Sequence, residues 1–308
     1  MNHLRTCAIV LAVSVLSPSS AGAETDARDY EAPIYLPSGS TIALAYFRHI
    51  STSDTQDLTE NLTLFRAVHV LKFDHLIVVP FDMYLPIVDV TLFAPTPEPG
   101  LTTTVHSSGI GDLTYLPSIG YYVDEDKQGT HTYVGFTPYI TAPVGSYEST
   151  RIINIGGNRW TFQPQIAVGQ RFLKMFTAEV VANVLISGTN DKLLVPGVPP
   201  DLGFQSLQQD AIWGAELHVA ADLSPNFYTS LDYYYKASGR AHFDLALPTG
   251  TMDTTYSGAF HLHSLRYTFG VRIEKTSLLL LQFQEDLAAT DRASLSRYVG
   301  VRFSHAIL

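Results

Sequence analysis

A segment of about ten residues, in which apolar and polar side chains alternate, recurs along this chain and limits what it can fold into. From Arg159 to Arg171, Trp160, Phe162, Pro164, Ile166 and Val168 share one face, opposite Thr161, Gln163, Gln165 and Gly169. From Thr132 to Ala142, Val134, Phe136, Pro138 and Ile140 oppose Tyr133, Gly135, Thr137, Tyr139 and Thr141. From Ser264 to Glu274, Leu265, Tyr267, Phe269, Val271 and Ile273 oppose Arg266, Thr268, Gly270, Arg272 and Glu274. A strand alternates its side chains between two faces, whereas a helix repeats every 3.6 residues. Read this way, the chain holds twelve antiparallel strands near 40–50, 62–73, 76–86, 110–123, 131–143, 159–172, 176–188, 211–222, 226–237, 263–274, 277–287 and 297–307. The first two are the least patterned, because neither of their faces is clearly polar.

The links between these segments point to a membrane. Phe73-Asp74-His75, Asp124 to Gly129, Leu173-Lys174-Met175, Leu223-Ser224-Pro225 and Lys275-Thr276 are short and turn-like. They alternate with long links such as Pro86 to Gly109 and Thr189 to Asp210. Short periplasmic turns and long extracellular loops are the pattern of an outer-membrane barrel, and a soluble sandwich has no reason to place its long loops at one end. The longest apolar stretches of the mature chain, such as Leu278 to Leu281, are too short for a transmembrane helix. A closed barrel is then the one spanning solution, since hydrocarbon satisfies no open sheet edge. The expected fold is all-β, a transmembrane antiparallel β-barrel of about twelve strands. Aromatics near the strand ends, and a last strand in which Val299, Val301, Phe303 and Ile307 alternate with smaller or polar residues, agree with it.

The N-terminus reads as an export signal. Arg5 supplies the positive region, Ala8 to Leu16 the apolar core, and Ala21-Gly22-Ala23 a small-x-small cleavage site before Glu24. The expected organisation is a signal peptide over 1–23, a short periplasmic segment over 24–38, and the barrel over 39–308. The one cysteine, Cys7, lies in the signal, so the mature chain has no disulfide, cysteine nucleophile or cysteine metal site. A net charge of −10 argues against nucleic acid as a partner. The expected surroundings are the lipid bilayer with its lipopolysaccharide, and the outer-membrane assembly machinery.

If the bulky apolar positions face lipid, the opposite set lines the lumen and any substrate path. That set includes Tyr139, Gln163, Gln165, Arg171, Glu216, His218, Asp232, Arg266, Arg272 and Arg302. A charge facing lipid at the midplane costs roughly 2–4 kcal/mol, which constrains the assignment. Such residues either fill and stiffen a narrow barrel or line a selective conduit. Catalysis has weaker support. No G-x-S-x-G elbow is present, and Glu216 and His218 simply share a strand face. Glu31, in the N-terminal segment, belongs to no motif. His261-Leu262-His263 puts two imidazoles on one face, a pair without a third ligand, so no metal or cofactor is expected.

Two stretches carry a family resemblance. Gly109-Ile110-Gly111-Asp112-Leu113, and Gly157-Asn158-Arg159-Trp160-Thr161-Phe162-Gln163-Pro164-Gln165, resemble segments of the outer-membrane family associated with the meta-pathway of phenol degradation. Pro80 and Thr141-Ala142-Pro143-Val144-Gly145 agree, and the resemblance spans residues 35–308. It implies a transporter for small hydrophobic or aromatic solutes, working by passive diffusion and loosely similar to fatty-acid and toluene channels. Those channels carry a substantial N-terminal plug; here only Glu24 to Ser38 precede the first strand, so any plug is small or the loops occlude the pore. The loops near 87–109, 189–210 and 238–262 would form the mouth, with Leu193 to Pro200 as an apolar lid or docking segment. The competing readings are a structural or surface-interaction barrel with a filled lumen and, third, a lipid-acting hydrolase.

Overall fold

The computed structural model describes residues 24–52, 57–95, 102–123, 130–151, 153–193, 205–247, 250–290 and 295–308. The alternating segments form strands, and the strands close into a twelve-stave antiparallel barrel. Its staves are β1 (Thr41–Thr52), β2 (Asp57–Phe73), β3 (Leu76–Pro95), a broken stave made of β4 (Thr102–Ile110), β5 (Leu113–Tyr115) and β6 (Ser118–Tyr122), β7 (His131–Ala142), β8 (Thr161–Phe172) and β9 (Phe176–Ser187). Leaving out β10 (Asn190–Leu193) and β11 (Gln205–Gln209), the wall continues through β12 (Ile212–Ser224) and β13 (Phe227–Ser238). Past β14 (Ala241–Leu247) and β15 (Gly250–Ser257), it ends with β16 (Phe260–Glu274), β17 (Ser277–Ala289) and β18 (Ser296–Ile307). Pairing of β1 with β18, from Thr41↔Ile307 to Thr52↔Ser296, shuts the wall. Both weakly patterned strands are present, as β1 and β2. No helix among the described residues is long and apolar enough to cross a membrane.

The pleat sorts side chains as the alternation requires. On β8, Trp160 just before it and Phe162, Ile166 and Val168 are exposed on the outer face, while Gln163, Gln165, Ala167 and Arg171 are buried inside. One turn shows how tightly the short-link end is built. Asp74 adopts a left-handed φ of 57° between the directly paired Phe73 and Leu76.

Three expectations need correction. The stretch 110–123 is not one strand: it breaks at Gly111-Asp112 and again at Leu116-Pro117, and proline offers no N–H to a ladder. The link Pro86 to Gly109 is not simply a loop, because β3 and β4 pair from Ile87↔Ile110 to Pro95↔Thr102 and rise past the barrel rim. The links 189–210 and 238–262 likewise hold a separate four-stranded sheet, β10-β11-β14-β15, at the long-loop end. Of the apolar segment Leu193 to Pro200, Leu193 is buried and pairs with Gln205, and 194–200 lie outside the described residues. The Asp124 to Gly129 turn also lies outside them.

Candidate functional site: a plugged and two-sided lumen

The 24–38 segment, expected in the periplasm, runs inside the barrel. It enters at the short-turn end, where the Ser38 hydroxyl accepts from the Lys72 backbone N–H at 2.9 Å, and it forms a 3-10 turn over Ala32–Tyr35. It then climbs to Glu24, which meets Lys236 near the far end of β13 at 2.6 Å. Its first eight residues, Glu24 to Glu31, are mostly charged, and ion pairs and hydrogen bonds hold them. Asp26 accepts from Arg266 at 2.9 Å, from Gln282 at 2.6 Å and from Arg302. Asp29 bridges Arg302 at 3.1 Å and Arg66 at 3.0 Å, and Arg66 continues to Asp82. Arg28 joins Glu31 at 2.6 Å and Asp222 at 2.7 Å.

Glu31, which belongs to no sequence motif, is the segment's most connected residue and is fully buried. Its carboxylate takes Arg28, Arg171 at 3.1 Å, Tyr35 at 2.9 Å and Thr177 at 3.0 Å, with His131 at 3.4 Å. Burial alone would push its pKa up. The His131 hydrogen bond and the Arg28 and Arg171 charges outweigh burial and hold it at about 2. Glu24 is held at about 2 in the same way, with burial opposed by Lys236 and Arg266.

Tyr30 adds a shape fit. Its ring lies against Gly135 of β7, where a Cβ would come within 2.2 Å of the ring's Cδ1, and its hydroxyl bonds Thr137 at 2.9 Å and Gln165 at 3.0 Å. Glycine is the residue that lets a ring approach the wall so closely.

The residues singled out from the sequence divide as follows. Tyr139, Gln163, Gln165, Arg171, Glu216, His218, Asp232, Arg266 and Arg302 are buried inside the barrel. Arg171, Gln165, Glu216, His218, Arg266 and Arg302 touch the N-terminal segment directly. Arg272 is exposed at the end of β16, on the rim of an internal cavity.

Glu216, His218 and Asp232 form one cluster, with His218 Nδ1 at 3.0 Å from Asp232 and Nε2 at 3.1 Å from Glu216. Thr25 Oγ1 lies 3.3 Å from the same Nε2, so hydroxyl, imidazole and carboxylate follow each other as in a hydrolytic triad. The resemblance ends at Glu216, which binds both the Thr25 hydroxyl and the imidazole. An imidazole facing a carboxylate on each side donates from both nitrogens and has no lone pair left to take a proton. His261 and His263 face outward, each bonded through Nδ1 to a tyrosine, Tyr235 at 2.7 Å and Tyr233 at 2.6 Å.

The other half of the lumen is apolar. Leu44, Tyr46, Leu64, Val68, Ile77, Val79, Tyr84, Leu116 and Tyr139 point inward from β1, β2, β3, the broken stave and β7, and Ile34 and Leu36 pack against them. Between this wall and the N-terminal segment lies a cavity of about 420 Å³. It reaches the periplasmic turns at Ser224-Pro225-Asn226 and Lys275-Thr276.

Above it, the family-like motifs meet at one point. Asp112, buried at the first break of the fourth stave, accepts from Gly145 N–H at 2.8 Å and Gly157 N–H at 2.7 Å. A Cβ on Gly145 would lie 2.8 Å from the Asp112 backbone nitrogen. This knot ties down the 143–160 link, whose Ile153 and Ile155 pack on Leu58, Leu62, Val88, Val90 and Leu92 at the outer mouth.

The family described as "Putative MetA-pathway of phenol degradation" matches residues 39–294. The COG4313 outer membrane channel from Pseudomonas putida F1 superposes with a TM-score of 0.76 at 23% identity, covering 92% of this chain and 100% of that one. The transport unit of the autotransporter AIDA-I from Escherichia coli superposes with a TM-score of 0.52 at 6% identity, covering 97% of each chain. At these identities the likeness is one of fold. No curated protein matches the sequence.

Proposed function

The chain belongs to this family of outer-membrane β-barrels, and from that premise we propose that it is a passive channel for small hydrophobic or aromatic compounds. The observation that carries the reading is the cavity of about 420 Å³ between an apolar wall and the N-terminal segment. A barrel filled only for stiffness would pack its interior with paired side chains all round, as the β8–β18 half does. Instead one wall keeps apolar surface against open space that reaches the periplasmic turns. Apolar linings with a few placed polar groups are what small-molecule sites use. The Pseudomonas putida structure is named a channel, and the family's description by phenol degradation favours an aromatic solute.

The N-terminal segment also favours a second reading, a barrel whose lumen is closed and which acts through its loops. The two separate in liposome swelling with a sugar, a phenol-like aromatic and a long-chain fatty acid, measured against protein-free liposomes. Protein-dependent uptake of the aromatic but not of the sugar is expected. No uptake above baseline for any solute sinks the channel and leaves the filled barrel. Hydrolysis is disfavoured by the doubly engaged His218. The expectation is that no phospholipid or lipid A cleavage accompanies uptake.

A further inference from the structure

The charges around the cavity are uneven in a way that the channel reading alone does not use. Each acid that lines it is engaged: Asp29 by Arg66 and Arg302, Asp82 by Arg66, and Asp222 by Arg28 and Arg171. Two of the lining cations are not. Arg272 and Lys275, exposed at the periplasmic rim, have no side-chain partner among the described residues. Arg302 lines the same cavity, and its buried Nε–H has no acceptor among the described residues. The free charge bordering this apolar space is therefore positive.

We propose that the cavity takes small amphiphilic monoanions, a single aromatic ring or short alkyl body ending in a carboxylate or sulfonate. The body lies against Leu44, Val68, Ile77, Val79 and Leu116, and the anionic head is turned toward Arg272 and Lys275. This rests on the channel reading and narrows its solute. Burying the body against the apolar wall gains roughly 25 cal/mol per Å². The head is attracted where it stays wet, so it escapes the cost of stripping a charge of water. A neutral solute gains the first contribution only. A cation gains nothing at the rim and finds every lining acid already paired.

Benzenesulfonate and benzenesulfonamide have nearly the same shape and differ in charge, and the sulfonate leaks little through lipid. Their uptake into proteoliposomes is compared after subtracting protein-free liposomes, the sulfonate as its potassium salt, with potassium ionophore and equal potassium present in both assays. The wild type is expected to favour the sulfonate by about tenfold, the low end of what a charged mouth achieves by focusing. The Arg272→Gln/Lys275→Gln variant brings the ratio to about one. Arg272→Glu/Lys275→Glu takes it below one, and Arg272→Lys/Lys275→Arg keeps it. Unchanged heat-modifiable migration shows that each variant retains its barrel. Equal uptake of both probes by the wild type, or an unaltered ratio in the glutamine variant, overturns this inference and leaves the channel standing. Uptake of neither probe above protein-free liposomes overturns both.

Discussion

The two halves of the lumen do different physical work. From β8 round to β18 the inner face carries Gln163, Gln165, Glu179, Glu216, His218, Asp232, Arg266, Gln282 and Arg302, and of these Arg266, Gln282 and Arg302, together with Arg171, meet the acids of the N-terminal segment. From β1 to β7 it carries Leu44, Val68, Ile77, Val79 and Leu116, with Arg48, Glu60, His131 and the Arg66–Asp82 pair as ionisable exceptions. A buried charge is tolerated only with a partner, and removing one partner from a buried pair typically costs about 3–5 kcal/mol. The ionic half therefore fixes the segment in place. The apolar half offers few polar partners and leaves room beside it. A charged lumen wall is here an anchor for the N-terminal segment, and the open cavity lies along the opposite wall.

The comparison breaks most visibly if the segment is removed. Deleting residues 25–36 while keeping residues 1–24 strips Arg266, Arg302 and Arg171 of Asp26, Asp29 and Glu31 and opens the ionic half to water. Conductance in planar bilayers is expected to rise on the order of tenfold, as a side-chain-filled bore becomes a water-filled one. Selectivity for aromatic over sugar should fall, because the new opening is polar. Unchanged conductance would mean that the segment does not occlude the pore.

How much of this was legible in the sequence depends on which half is considered. The period-two signal assumes a polar inner face, and it located β7, β8 and β16 and their buried residues because Gln163, Gln165 and Arg266 break an apolar run. The same signal fades where the inner face is itself apolar. β1 and β2 looked weakly patterned because Leu44, Leu64 and Val68 point inward, so the wall beside the cavity went unrecognised. The N-terminal segment carried a clue in its density of charge: Glu24, Asp26, Arg28, Asp29 and Glu31 within eight residues. Many of their partners lie far along the chain, Arg171 140 positions from Glu31 and Arg302 276 from Asp26, and sequence spacing cannot show such contacts. The knot at Asp112 was visible only as short glycine motifs; that Gly111, Gly145 and Gly157 meet around one carboxylate is a product of the fold.

A smaller effect comes from pH. The carboxylate of Glu31 is held at about 2 in the docked segment, against an ordinary value of 4.5. A lowered value means that ionisation favours docking. That contribution is complete above about 4.5 and is lost as pH falls through the interval to about 2. Glu24 acts in the same direction over the same interval. Conductance of the wild-type protein should therefore rise several-fold between about pH 5 and pH 2, less than on deletion because Tyr30 and the backbone contacts remain. In Glu31→Gln part of that rise should already be present at pH 7, and the remaining pH step should shrink. A flat profile in both proteins would show that the ionic half does not control docking.

The smallest effect lies at the seam between the two halves. Gly135 sits on β7, and the Tyr30 ring occupies the space where its side chain would be. In Gly135→Ala the ring must swing away and leave its bonds to Thr137 and Gln165. Two exposed or part-exposed bonds of this kind are worth about 1–2 kcal/mol together. The charged anchors at Asp26 and Glu31 are untouched, so the segment should stay docked most of the time. The expected signature is brief openings in single-channel records, with mean conductance raised about twofold or threefold and heat-modifiable migration unchanged. Tyr30→Phe, which keeps the ring and loses the hydroxyl bonds, should give a lesser version of the same flicker. If both variants match the wild type, charge alone seats the segment and the glycine under the ring matters only to packing. If Gly135→Ala rivals the deletion, the seam holds the plug and the ionic wall is secondary to shape.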